Sequence, residues 1–245
     1  MPSLAKKIAL VTGSGRGIGR AIAVAFAREG ADLVLAARSA AELDTVAAEI
    51  CELGRKVVTV PTDVIRRDQV DALAAAVRRE FGRLDVLVNN AGGGLERSSI
   101  LESDPDLWGE DVTVNCISAY LVSRALLPLM IESGGGRVIN VGSGMGHRPT
   151  ASASAYHVGK AGMWMFTRCL AEEVWQHNIA VNEIVPGPVA TRLTGNRMQA
   201  GGPPPFAPSE VVKEPADVAP LALFLATQPD SGPTAQSFSL ARRPL

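Results

Sequence analysis

A short aliphatic run that breaks into a cluster of glycines constrains this chain most. Lys7-Ile8-Ala9-Leu10-Val11-Thr12 is rich in the aliphatic and β-branched residues of a buried parallel strand. Gly13-Ser14-Gly15-Arg16-Gly17-Ile18-Gly19 follows at once, and Ile18, Ile22, Ala25 and Phe26 then recur at helical spacing. Strand, glycine turn, helix is the context of a dinucleotide site. Glycines let the backbone approach a pyrophosphate, and the helix N-terminus offers free N–H groups and a partial positive charge. The spacing is G-x-x-x-G-x-G over Gly13, Gly17 and Gly19, not the commoner G-x-G-x-x-G. No Lys-Ser or Lys-Thr follows, which excludes a nucleoside-triphosphate P-loop.

Alternation continues downstream. Strands are predicted at 32–37, 57–60, 84–88, 137–141 and 179–185, and helices at 39–53, 66–81, 104–132 and 154–177. Pro105 is expected to break the 104–132 helix early, and Pro128 to kink it. This pattern predicts an α/β chain, a doubly wound parallel sheet with helices on both faces. Ligands bind such sheets at the carboxyl ends of the strands. The Gly13–Gly19 turn, Asp63, the Asn89–Gly92 loop, Ser143 and the Pro186–Thr191 loop all follow strands.

Tyr156 and Lys160 are four residues apart, so a helix places them on one face. A tyrosine of ordinary pKa, about 10, is a poor acid or base near neutrality, and a fixed cation beside it favours the phenolate. Ser143 lies thirteen residues before Tyr156. Ser152 and Ser154 are rivals for a catalytic serine but fall too close to Tyr156. No Gly-x-Ser-x-Gly elbow surrounds any of them, which disfavours an acyl hydrolase.

Taken together these segments resemble the short-chain dehydrogenase/reductase family. Thr12–Gly19 looks like its cofactor turn and Asn89-Asn90-Ala91-Gly92 like its motif after the fourth strand. Asn115, Ser143, Tyr156 and Lys160 stand where the family has its catalytic tetrad, and Pro186-Gly187-Pro188-Val189-Ala190-Thr191 looks like its loop beside the nicotinamide. The resemblance runs in order over 7–191. It implies a single Rossmann-type domain over 1–245 with a substrate lid at 192–214, where Gly201-Gly202-Pro203-Pro204-Pro205 suits neither a regular helix nor a central strand.

The resemblance also assigns roles. The cofactor would meet Gly13, Ser14, Gly15, Arg16, Gly17, Ile18 and Gly19, then Arg38, Asp63 and Val64 (the last two at the adenine). It would also meet Asn90, Ala91, Gly92, Tyr156, Lys160, Pro186, Gly187, Val189 and Thr191. The family's NAD-selecting aspartate would fall on Ala37, whereas Arg38 and Arg16 suit a 2′-phosphate, so NADP(H) is expected over NAD(H). Tyr156 would be the acid or base, Ser143 would bind the substrate oxygen, and Lys160 would lower the tyrosine pKa and bind the nicotinamide ribose. Asn115 would anchor a relay water. The implied activity is NADP(H)-dependent interconversion of a ketone and a secondary alcohol, with a 3-oxoacyl thioester as the leading specific substrate. Sugar, polyol and small-ketone substrates stay open, as does a non-catalytic NADP-binding regulatory protein. Met145, His147, Arg148 and the 192–210 segment are expected to line the substrate pocket.

Charge bounds the partners. Lys and Arg number 24 against 25 Asp and Glu, a net charge of −1, with no basic patch for nucleic acid. Cys51, Cys116 and Cys169 read as reduced, buried thiols, the three histidines form no metal-ligand pattern, and no membrane span or signal segment is expected. A cytoplasmic homotetramer acting on a small molecule is the expectation. In place of the family's Asp-Gly-Gly the chain has the terminal segment Gly232–Leu245, so the resemblance does not extend to the details of the last strand or to the subunit contacts there.

Overall fold

The computed structural model describes residues 3–94, 96–195, 198–204 and 207–245. Seven strands form one sheet in the order β3-β2-β1-β4-β5-β6-β7. They are β1 (Ile8–Thr12), β2 (Asp32–Ala37), β3 (Val57–Pro61), β4 (Val86–Asn89), β5 (Gly136–Val141), β6 (Ile179–Val185) and β7 (Ser237–Ser239). Every neighbouring pair runs parallel. Strands β1, β4 and β6 are buried along their whole length, as their near-continuous aliphatic sequences require. The order reverses direction between β1 and β4, the switch point where such sheets bind ligands.

Helices cover both faces. On one, α1 (Gly17–Arg28), α2 (Ala40–Glu52) and α7 (Ala219–Ala226) bury Ile22, Phe26, Leu43, Ile50 and Leu225 against the sheet. On the other, α3 (Arg67–Phe81), α5 (Ser118–Glu132) and α6 (Ser154–Val174) bury Leu73, Val77, Leu126, Met130 and Leu170. Helix α7 and strand β7 lie beyond the strands and helices read from the sequence. Their signals are the capping box at Glu214 and Asp217 and the apolar run after Pro215.

Pro105 does not break the long helix. It occupies the first turn of α4 (Pro105–Val112), behind the N-cap Asp104, where a proline's missing N–H costs nothing. The irregularity falls instead at Thr113–Ile117, a π-helical segment carrying Asn115 between α4 and α5. Such segments frequently occur at functional sites. The whole Pro105–Glu132 helix is apolar and long enough for a membrane span by composition, yet it packs against α3, β4, β5 and α6. The cysteines are free as expected, but Cys51 and Cys169 are exposed and only Cys116 is half-buried.

Candidate active site

Thr12 ties the first two cofactor motifs together. Its hydroxyl accepts from the backbone N–H groups of Asn90 and Ala91, each at 3.0 Å, while Asn90 Nδ2 donates to the carbonyls of Thr12 and Gly13 at 2.9 and 3.2 Å. The glycine turn is packed to its limit. Gly13 has φ +63°, and a Cβ on Gly19 would collide with the Gly13 carbonyl and with Asn90 Nδ2. Helix α1 has no side-chain N-cap and no acidic residue in its first turn, so its N-terminus stays open to an anion.

At the adenosine end, Ala37 ends β2 and Arg38 is exposed. Arg16 is engaged: its Nη1 donates to Glu42 Oε1 at 2.8 Å, and Arg192 Nη1 donates to the same oxygen at 3.2 Å. Asp63 follows β3, where its backbone N–H donates to Gln69 Oε1 at 2.7 Å, and Val64 beside it is buried. The loop after β6 is fixed by the paired backbones of Pro188–Ala190 and Lys213. Pro186 and Val189 are buried in this loop, Gly187 adopts φ +70°, and the side chain of Thr191 approaches Gly17.

Ser143, Tyr156, Lys160 and Asn115 come together at the ends of β4 and β5. Ser143 and Tyr156 hydrogen-bond through their hydroxyls. Lys160 is buried, and its ammonium donates to Val141 O at 2.8 Å. Asn115 is buried and clasps Gly93, accepting from its N–H at 3.2 Å and donating to its carbonyl at 2.7 Å, with Asp111 as a further acceptor. Of the rival serines, Ser154 is occupied as the acceptor of Trp108 Nε1 at 2.9 Å.

Burial governs the electrostatics. Desolvation lowers the Lys160 pKa from 10.5 to about 8, with Glu183, Cys116 and Asp111 pulling the other way. Tyr156 moves up, not down: burial favours its neutral phenol over the opposing hydrogen bond from Ser143, Asp111 raises it further, and Arg97 offsets part of this. The expected lowering by Lys160 is therefore absent from the protein alone.

His147 turns inward, with Nε2 3.1 Å from Glu183 Oε2. Asp111 and Glu183 escaped sequence reasoning. Asp111 gives no cue beyond lying one helical turn before Asn115, whereas Glu183 does, as an acid in the middle of an otherwise buried strand.

Comparison with known proteins fits this geometry. Residues 7–201 match the short chain dehydrogenase family. An uncharacterized oxidoreductase of Staphylococcus aureus (strain MRSA252) is 36% identical over 230 residues, covering 94% of each chain. L-sorbose reductase from Gluconobacter frateurii, solved with NADPH and L-sorbose, is 32% identical with a TM-score of 0.87 over 98% of this chain and 97% of its own. Carveol dehydrogenase from Mycobacterium avium, solved with NAD, shares the fold at TM-score 0.90 and 23% identity, covering 98% of each chain. The chain belongs to the short-chain dehydrogenase/reductase family. It is an oxidoreductase acting between alcohols and ketones on small molecules, with a nicotinamide dinucleotide as cofactor.

Proposed function

We propose that the protein is an NADP(H)-dependent reductase interconverting a ketone and a secondary alcohol. The observation that carries this reading is the meeting of Ser143, Tyr156 and Lys160, with a phenol that burial keeps protonated. A protonated phenol is a general acid, which suits the reductive direction.

The residues fit a dinucleotide, since a side chain at Gly19 would fill its cradle and the α1 N-terminus carries no competing acid. Bound nicotinamide supplies or takes the hydride. Ser143 holds the substrate oxygen by a hydrogen bond, and Tyr156 passes its proton to that oxygen as negative charge develops there. In the reverse direction Tyr156 accepts the proton. Lys160 places a positive charge by the phenol and offers donors to the ribose. Asn115 keeps the Gly93 backbone and the π-helical segment in register and anchors a relay water. The described residues of 192–214 act as a lid within a single domain, joined to the cofactor turn by the Arg192–Glu42–Arg16 contacts.

NADP(H) is favoured by the absence of an acid at Ala37 and by Arg38 and Arg16 nearby. A keto sugar is the substrate class favoured by the likeness to L-sorbose reductase; 3-oxoacyl thioesters and small ketones are the competitors. Exposed Ile117, Tyr120, Val158 and Met165 on the π-helical segment, α5 and α6 suit a homotetramer interface. The test is oxidation of NADPH and NADH against a panel of keto sugars, ketones and 3-oxoacyl thioesters, with Tyr156→Phe in parallel. NADPH-dependent turnover that vanishes in the variant supports the reading. Tight NADPH binding without turnover on any substrate would replace it with a regulatory dinucleotide-binding role.

A further inference from the structure

Strand β6 carries a carboxylate where every neighbour is buried. Glu183 has no exposed side-chain surface. A buried charge is costly unless it is paired and hydrogen-bonded, and Glu183 is both. Its carboxylate accepts from Ser237 Oγ of β7 and meets His147 Nε2 at 3.1 Å. Arg168 Nη2 reaches the same Ser237 hydroxyl at 3.4 Å, and its guanidinium lies 4.5 Å from the Trp164 ring centre. Trp164 in turn meets the His147 ring edge-on at 5.4 Å. Four side chains from β7, α6 and the turn after β5 thus close a ring with the Glu183 carboxylate of β6.

Three consecutive residues connect that ring to the reaction site. Val141 O takes the Lys160 ammonium. A Cβ on Gly142 would overlap the Glu183 carboxylate, so Gly142 leaves the space that Glu183 fills. Ser143 opens the tight turn that carries His147, with Gly146 N–H donating to Ser143 O at 2.9 Å and His147 N–H to Gly144 O at 3.2 Å. The carboxylate therefore holds the serine turn from one side and lies one residue from the lysine's acceptor.

We propose that Glu183 is a positioning residue for this site, fixing the Ser143 turn through His147 and presenting a negative charge to Lys160 across Gly142. The inference rests on the reductase reading for its consequence in turnover, but not for its geometry. The ionisable groups facing Glu183 are His147 and Lys160, with Arg168 one hydroxyl away. Those facing Lys160 are Glu183, Cys116 of the π-helical segment, Asp111 of α4 and the Tyr156 ring of its own helix. Glu183 is the strongest of the groups that keep the ammonium charged against burial.

Glu183→Gln keeps the shape and removes the charge. The experiment follows the Lys160 ε-methylene by NMR across pH in the full chain, with the resonance assigned by its loss in Lys160→Arg. Wild-type Lys160 is expected to titrate near 8, and the variant about one unit lower, the scale set by the loss of one opposite charge. The alkaline limb of kcat for carbonyl reduction should move down with it, lowering kcat about tenfold above pH 8, while the Kd for NADPH stays put. His147→Gln, which frees the turn, should lower kcat without lowering the Lys160 titration. An unshifted Lys160 in folded Glu183→Gln overturns the proposal. If that variant does not fold, normal kcat and pH profile in His147→Gln overturns it instead. A wild type without NADPH-dependent turnover defeats the reductase reading, and the Lys160 titration still decides this one.

Discussion

Lys160 Nζ stands 5.9 Å from the centre of the Tyr156 ring and spends a hydrogen bond on Val141 O, not on the phenol. The lysine is thus held beside the tyrosine ring with a hydrogen bond committed to the backbone. In the protein alone both groups are pushed toward their neutral forms, the phenol upward and the ammonium downward. Positive charge brought by bound cofactor, or polar groups brought by substrate, would have to reverse that balance for oxidation.

Lys160 is accordingly a cost to the fold. Its folded pKa of about 8 lies below the ordinary 10.5. Below 8 the native state bears a buried ammonium at full penalty. Between 8 and 10 the unfolded chain binds more protons than the native one, so stability rises with pH; above 10 the raised Tyr156 pKa opposes the gain, because the unfolded tyrosine ionises first. Lys160→Met removes a penalty on the order of 3 kcal/mol and forfeits a hydrogen bond of about 1 kcal/mol. The ligand-free variant should be more stable than wild type by about 2 kcal/mol at neutral pH while losing turnover. Urea unfolding at pH 7 and 9.5 checks both signs; a destabilised variant at pH 7 would refute the account.

Tyr156→Phe tests the acid itself. It should cost about 10²- to 10⁴-fold in kcat, the range of a lost general acid, with NADPH affinity retained. Ultraviolet difference titration of the ligand-free protein should place one tyrosine, absent in the variant, above the ordinary value of about 10. The two tyrosines make this readable, since Tyr156 and Tyr120 are the only contributors. A phenol titrating below 9 without cofactor would mean that Lys160 outweighs burial after all.

Much of this was legible in the sequence because its signals are local. Aliphatic runs and helical spacing give strands and helices, and the glycine turn, Asn89–Gly92, Ser143 and Tyr156–Lys160 fall at strand ends or on one helix face. What stayed hidden depends on which atoms meet across the fold. Glu183 reads as one residue of a strand until β5 and β7 flank it. Asp111 gains meaning only when the π-helical segment turns Asn115 toward Gly93. Burial, which sequence shows only on average, reverses the sign expected for Tyr156. The terminal segment lacks Asp-Gly-Gly, yet Ser237–Ser239 still pairs with Glu183–Val185 because backbone hydrogen bonds need no particular side chain.

Gly19→Ala probes the cradle. The added methyl would meet the Gly13 carbonyl, a backbone atom that cannot rotate away. We expect a loss of roughly 1–3 kcal/mol, the cost of overpacking, and a sharp rise in the Kd of both NADPH and NADH. Fluorescence titration of both cofactors on a variant shown to be folded checks this; unchanged affinity would place the dinucleotide elsewhere.

Glu42 sets how much Arg16 can give to a phosphate. Its carboxylate takes hydrogen bonds from Arg16 and Arg192 together and packs against Gly15, beside the end of β2. A 2′-phosphate would have to win Arg16 from this partner, whereas a 2′-hydroxyl would leave the pair intact. The pair is partly solvent-exposed, so its worth is about 0.2–1 kcal/mol. Glu42→Gln should therefore tighten NADPH relative to NADH by up to about fivefold, with a shallower gain at high salt. Arg38→Ala should do the reverse, weakening NADPH about tenfold, the scale of one charge-assisted hydrogen bond, and sparing NADH. Direct binding of both cofactors to the two variants separates these effects from any change in turnover. A Glu42→Gln protein that loses NADH affinity while its NADPH affinity stays unchanged would show that the carboxylate itself holds the ribose, and NAD(H) would become the favoured cofactor.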